Sequence, residues 1–142
     1  MTIAAILGGK GHEVVSISPD ASVAEAVKLL HERGIGAVPV MRGDAVEGVF
    51  SERDVIRVLA AEGGAALDRT VADAMSAPAI TAAPDHNVLG ALSVMTRKRV
   101  RHLPVVEDGR VIGIVSIGDL VKYRIDRVEA DAEAMREYIQ SA

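Results

Sequence analysis

The chain has 142 residues, 49% of them hydrophobic, 25% charged and 2% aromatic, with a formal net charge of −4. This is a globular composition with an aliphatic core, and the net negative charge argues against a general nucleic-acid binder. The absence of cysteine excludes a disulfide framework, a thiolate nucleophile and a cysteine-ligated metal, and fits a reducing compartment. With no apolar run of about 18 residues to span a bilayer and no basic n-region or signal-length apolar core in Met1 to Gly11, a cytoplasmic protein without a membrane partner is expected.

Along the chain, Gly8-Gly9-Lys10-Gly11 has the residues of a phosphate loop. No Ser or Thr follows the lysine, and no strand of sufficient length precedes it, so it reads as a turn. Val14-Val15-Ser16-Ile17 is a short β-branched strand that stops at Pro19-Asp20. Ser22-Val23-Ala24-Glu25 is a capping box, opening a helix whose apolar face is Val23, Ala26, Val27 and Leu30 and whose stop is Gly34. Ala37 to Met41 reads as a buried strand, Arg42-Gly43-Asp44 as a turn, and Ala45 to Phe50 as the second strand of a hairpin. A helix from about Ser51 ends near Gly63-Gly64. Val71 and Met75 form an i, i+4 pair on a one-turn helix within a joint, Val71 to Pro78.

The same order then recurs. Shifting the numbering by 65 residues carries Pro19-Asp20 onto Pro84-Asp85, Pro39-Val40 onto Pro104-Val105, and Gly48…Ser51…Asp54 onto Gly113…Ser116…Asp119, with no insertion between. Ile80-Thr81 is the strand, Asn87 the helix cap, and Val88, Ala91, Leu92 and Met95 the helical face. Leu103 to Val106 and Val111 to Ser116 form the hairpin around Glu107-Asp108-Gly109, and Asp119 opens the next helix. The chain is therefore an α+β protein built from a β-α-β-β-α unit used twice: repeat one over 12–66, a linker over 67–78, repeat two over 79–125, and a helical extension over 126–142. A unit this long is no solenoid turn, and one alone could hardly bury its apolar face, so the two should stack about a pseudo-twofold axis. In the last helix Val121, Ile125, Val128, Ala132, Met135 and Ile139 are spaced 4, 3, 4, 3, 4, a heptad-like seam. Either the helix packs back on its own domain or the seam is a dimer contact.

Two segments carry chemistry: Gly48-Val49-Phe50-Ser51-Glu52-Arg53-Asp54 and Gly113-Ile114-Val115-Ser116-Ile117-Gly118-Asp119. Each runs strand, hydroxyl, two residues, carboxylate, helix. A helix start offers free N–H groups and partial positive charge, which suit a phosphate. A carboxylate there can accept from both hydroxyls of a ribose. Ser-x-x-Asp is also a plain helix cap, but two occurrences in register favour the binding reading. Arg97-Lys98-Arg99-Val100-Arg101-His102 reads as a solvated helix end or, at Arg101 and His102, as a basic lining for phosphates. A nucleic-acid patch is the weaker reading, for want of aromatic partners. The four histidines share no ligand spacing, so a zinc site is not expected, and no nucleophile elbow or triad order is visible.

These features together resemble a tandem pair of CBS domains, the cystathionine β-synthase type of regulatory module, over about residues 12 to 125. Within the family the chain looks most like small stand-alone bacterial CBS proteins, in which Ser-Glu-Arg-Asp, here Ser51 to Asp54, is a familiar form. The resemblance implies a cleft between the repeats with two composite nucleotide sites. One would use Asp119 and Ser116 with Ser16, Gly36, Ala37 and Val38. The other would use Asp54, Ser51 and Arg53 with Thr81, Arg101, His102 and Leu103. It implies a non-catalytic adenine-nucleotide sensor without a catalytic cofactor, taking AMP first and then ADP, ATP or NAD(H). It also implies a homodimer packed as a flat disc and a regulated protein partner that the sequence does not name. The competing readings are an interaction module that binds no nucleotide and an enzyme, since related modules sit inside IMP dehydrogenase. Two repeats filling 142 residues leave no room here for that enzyme's barrel.

Overall fold

The computed structural model describes residues 1–141. Helix α1 spans Ile3–Lys10, α2 Val23–Arg33 and α3 Glu52–Glu62; strands β1 (Ala37–Arg42) and β2 (Ala45–Ser51) lie between α2 and α3. A 3₁₀ turn, Gly63–Asp68, leads to the one-turn α4, Val71–Ala74. Helix α5 (Val88–Lys98), strands β3 (His102–Glu107) and β4 (Arg110–Ser116), and the 25-residue α6 (Ile117–Ser141) complete the chain.

Local sequence explains the elements. The Ser22 side chain accepts from the Glu25 amide at 3.1 Å while the Ser22 N–H donates to the Glu25 carboxylate at 3.3 Å, closing the capping box of α2. Gly34 ends the helix in the left-handed region (φ 61°). In repeat two, the Asn87 side chain accepts from Leu89 and Gly90. The hairpins β1–β2 and β3–β4 are antiparallel and carry a register shift at the same place, Val40/Met41 and Val105/Val106. Asp108 and Gly109 both have positive φ (53° and 77°), as a two-residue turn matched to strand twist requires.

The core is in two parts, one per repeat. Val23, Val38, Val40 and Phe50 centre the first; Met95, Leu103, Val105 and Leu120 centre the second. The short helices are exchanged between them. Val71 and Ala74 of α4 are buried in the first core, and Ile3, Ile6 and Leu7 of α1 in the second. Their tethers match: Val71 and Ala72 donate to Ala21 and Pro19, as Ile3 and Ala4 donate to His86 and Pro84. Gly48 and Gly113 make this approach possible. A Cβ on Gly48 would lie 2.7 Å from the Ser76 carbonyl oxygen and 2.8 Å from Met75 Sδ, and one on Gly113 would lie 2.7 Å from Leu7 Cδ2.

Two local expectations are corrected. Gly8-Gly9-Lys10 is the last turn of α1, with the break at Gly11 (φ 102°), because Ile3, Ile6 and Leu7 supply a buried i, i+3, i+4 face. Neither Val14–Ile17 nor Ile80-Thr81 forms a strand. Each region makes one parallel bridge, Ile17 to Val40 and Ala82 to Val105. Pro19 and Pro84, which lack an N–H, follow two residues later and stop the pairing.

Candidate functional site

In each repeat the second hairpin strand runs straight into a helix, delivering Ser51 and Asp54 to the start of α3 and Ser116 and Asp119 to the start of α6. Both carboxylates fold back on their own cap. The Ser51 N–H donates to Asp54 Oδ2 at 2.9 Å and its hydroxyl at 3.2 Å. The Ser116 N–H donates to Asp119 Oδ2 at 2.8 Å, and the Asp119 N–H donates to Ser116 Oγ at 3.1 Å.

Beyond the cap the two diverge. Asp54 is 3% exposed, and its Oδ1 accepts from Arg57 at 3.1 Å and from the Ser76 hydroxyl at 2.8 Å. Both of its oxygens are therefore engaged by the protein. Asp119 is more open, with its side chain 27% exposed, and its Oδ2 pairs with Lys10 Nζ at 2.5 Å. Lys10 also donates to the Ile114 carbonyl at 2.8 Å. In repeat one the corresponding carbonyl, that of Val49, accepts from the Ser76 N–H at 2.9 Å. A residue at or just past the end of each exchanged short helix thus serves each motif: Ser76 for Asp54, Lys10 for Asp119.

Two clefts open beside these helix starts, and each is shared between the repeats. The first, about 570 Å³, is lined by Ser51, Arg53 and Asp54 from repeat one and by Lys98, Arg99, Arg101 and His102 from repeat two. The second, about 520 Å³, is lined by Ser116 and Asp119 from repeat two, by Arg33, Gly36 and Ala37 from repeat one, and by Lys10. Both volumes lie within the range of small-ligand pockets. Gly36, Ala37 and His102 line both clefts, and His102 Cε1 lies 3.4 Å from where a Gly36 Cβ would stand.

The other expected residues lie apart. Ser16 and Thr81 are exposed, while their chain neighbours Val15 and Ile80 line the second and first clefts. Val38 and Leu103 are core residues, 0% and 1% exposed, and line neither cleft. Lys10, Glu52 and Ser76 also line the clefts, beyond the residues that the sequence points to. The signal for Lys10 was a lysine in a glycine-rich segment. Ser76 had none, since its role depends on how α4 returns to repeat one.

The first cleft is the more cationic. Arg53, Lys98, Arg99 and Arg101 face Glu52 and Asp54, whereas Lys10 and Arg33 face Glu13 and Asp119 in the second. Arg99 adopts the left-handed conformation (φ 55°) where repeat one has Gly34, at a cost of about 1 kcal/mol. Its carbonyl accepts from Arg53 at 2.7 Å, a tie across the repeats. Burial holds His102 below its ordinary value, with the nearby Lys10 and Arg101 acting the same way and Asp119 and Glu52 opposing them. Burial would raise Asp119, but the Lys10 hydrogen bond, the Ser116 N–H and the Lys10 charge together hold it below the usual carboxylate value. Among the described residues, no cluster of three or more His, Cys, Asp or Glu could hold a metal ion, and no helix is long and apolar enough to cross a membrane.

Comparison with known proteins agrees with this geometry. The family model described as "CBS domain" matches residues 11–61 and 71–126. A mitochondrial CBS domain-containing protein of Arabidopsis thaliana is 32% identical over 148 residues, spanning 98% of this chain and 72% of that protein. The crystal structure of a CBS-domain-containing protein from Agrobacterium tumefaciens superposes with a TM-score of 0.84 at 39% identity, covering 87% of this chain and 99% of that one. A CBS domain protein from Pyrobaculum aerophilum, complexed with AMP, superposes with a TM-score of 0.74 at 25% identity, covering 84% of this chain and 89% of that one. The chain belongs to the CBS domain family, as a tandem pair of its repeats.

Proposed function

We propose that this CBS pair is a regulatory module that binds an adenine nucleotide between its repeats, with AMP the first ligand and ADP, ATP or NAD(H) next. The observation that carries the reading is the second cleft. An accessible Asp119 stands at the start of α6 beside a lysine that a ligand can draw away. Asp119 would accept from the ribose hydroxyls while Lys10 turns to the phosphate. Gly36 and Ala37 would offer backbone groups to the base, with Val15 and Ile35 as its aliphatic wall. The cationic first cleft, with Arg53, Arg101 and His102, would take the more phosphate-rich ligand. A ribose there would have to displace Ser76 or Arg57 from Asp54. The Pyrobaculum aerophilum protein with AMP supports the choice of ligand class.

Binding would tie the two repeats together and favour one relative placement of α3 and α6, a differential-affinity switch acting on a partner rather than a reaction. The test is calorimetric titration of the chain with AMP, ADP, ATP, NAD and deoxy-AMP, with Asp119→Ala as the site control. Saturable AMP binding that is lost in the variant supports the reading. A second reading, an interaction module that needs no nucleotide, draws on the internal satisfaction of Asp54. It is preferred if none of these compounds binds.

A further inference from the structure

Helix α6 does two different things along its length. Leu120 is fully buried in the second core, but every residue from Arg124 to Ser141 is exposed. The helix is about 37 Å long, and its outer part has no packing of its own, a marginal state for an isolated helix in water. The exposed apolar side chains are not scattered. Val121, Ile125, Val128, Met135 and Ile139 are 43% to 65% exposed and, with Ala132, make one stripe at alternating spacings of four and three. The stripe lies about 100° around the helix from Leu120, so it points to the side of the core that holds the helix rather than into it.

The charges beside the stripe identify its occupant. Taking Ile125, Ala132 and Ile139 as a positions and Val121, Val128 and Met135 as d, the flanking g positions include Arg124 and Asp131, and the e positions include Glu129 and Arg136. In a parallel coil each g residue meets the partner's e residue five places on. Arg124 then meets the partner's Glu129, and Asp131 meets the partner's Arg136, both of opposite charge. Arg136 already bonds Glu133 on its own helix at 2.7 Å, and its other guanidinium donors can serve the partner. In an antiparallel coil, e faces e and g faces g. Lys122 would then oppose the partner's Arg136, while Glu129 and Asp131 would each oppose their own copy, all like charges. Ile at two of the three a positions fits two strands.

We propose that α6 pairs with α6 of a second copy of this chain as a parallel, in-register, two-stranded coil along this stripe. The pairing sets both repeat pairs at the same end of the coil.

The chain has no cysteine, so Ile139→Cys introduces a single reactive thiol. In the parallel coil, position 139 faces its own copy. In the antiparallel coil it faces position 121 and lies about 27 Å from its copy. A short bismaleimide at low protein concentration should convert Ile139→Cys to a covalent dimer, while an equimolar mixture with Val121→Cys should give no additional mixed product. Arg124→Glu should weaken dimerisation roughly tenfold in sedimentation equilibrium, because an attractive pair becomes repulsive twice per dimer. Adding Glu129→Arg should restore it. Crosslinking only in the Val121→Cys and Ile139→Cys mixture would overturn the orientation. A monomeric wild-type chain, or a dimer without crosslinking at either position, would overturn the coil. Failure of the charge swap to rescue Arg124→Glu would overturn the register.

Discussion

At the scale of single residues, Asp54 and Asp119 share a motif but not a role. Asp54 is nearly enclosed and holds Ser51, Arg57 and Ser76 together. Asp54→Ala should cost about 2–3 kcal/mol, the sum of a lost cap and unpaired neighbours. Asp119→Ala removes a partly exposed cap and should cost about 1 kcal/mol; its main effect should be on ligand affinity. Urea unfolding of the two variants, beside AMP titration of Asp119→Ala, checks the division. The capping reading and the binding reading were both legible in Ser-x-x-Asp. What separates the copies is contact with Ser76 in one and Lys10 in the other, which spacing along the chain does not encode. Ser16 and Thr81 show the same boundary. Successive extended residues face opposite sides, and Val15 and Ile80, one place earlier, are the ones turned toward the clefts.

His102, where the clefts meet, makes a second prediction. Its folded value lies below the ordinary 6.5, so the unfolded chain takes up the proton first as pH falls. Stability should therefore decline as pH drops through about 6.5 toward the lowered folded value. Asp119 adds a separate loss only at more acidic pH, below the usual 3.8, because its folded value is depressed. Thermal unfolding between pH 7.5 and pH 5 should show the first decline (both limits being about one unit or more from the His value), and His102→Gln should flatten it. An unchanged profile in the variant would assign the decline to other groups.

At the scale of elements, the exchange of α1 and α4 explains a pair of glycines that turn chemistry does not. Both sit in strands beneath the fourth residue after the first of an exchanged helix, Met75 over Gly48 and Leu7 over Gly113. The obstacles differ. Gly113→Ala meets the tip of a leucine, which can shift, and should cost about 1 kcal/mol. Gly48→Ala meets a backbone carbonyl oxygen in a paired segment and should cost about 3 kcal/mol. Chemical denaturation of the two variants measures the difference, and equal costs would mean that the Ser76 segment yields as readily as a side chain. Much of the element order was legible from caps, hairpin turns and the 65-residue shift. Helix α1 was not, because Ile3 and Leu7 match Val71 and Met75 only three residues out of step with that shift, and because glycines at its end read as a turn. The first strands are shorter than their β-branched runs suggest. A β-branched run measures preference for extended backbone, whereas a ladder needs successive partners, and the prolines leave room for one bridge.

At the scale of the whole molecule, a duplicated unit has produced two clefts that are alike in frame and unlike in charge. The frame is symmetric: each Ser-Asp helix start faces the other repeat across Gly36-Ala37 or Arg101-His102. The asymmetry comes from substitutions at related positions, Arg99 for Gly34, His102 for Ala37 and Arg101 for Gly36, which gather cations on one side. The two sites are therefore expected to fill unequally, and to pull the repeats together when they do. The stripe on α6 lies outside this exchange of contacts and gives the molecule a second, separable surface. The measurement that tests the central claim most directly is calorimetric titration of the intact chain with AMP against deoxy-AMP. Saturable binding of AMP, much weaker with the deoxy sugar and abolished at one site by Asp119→Ala, is the predicted result. Equal binding of the two sugars would contradict the role given to Asp119, and no heat or stabilisation with any adenine nucleotide would contradict the sensor itself.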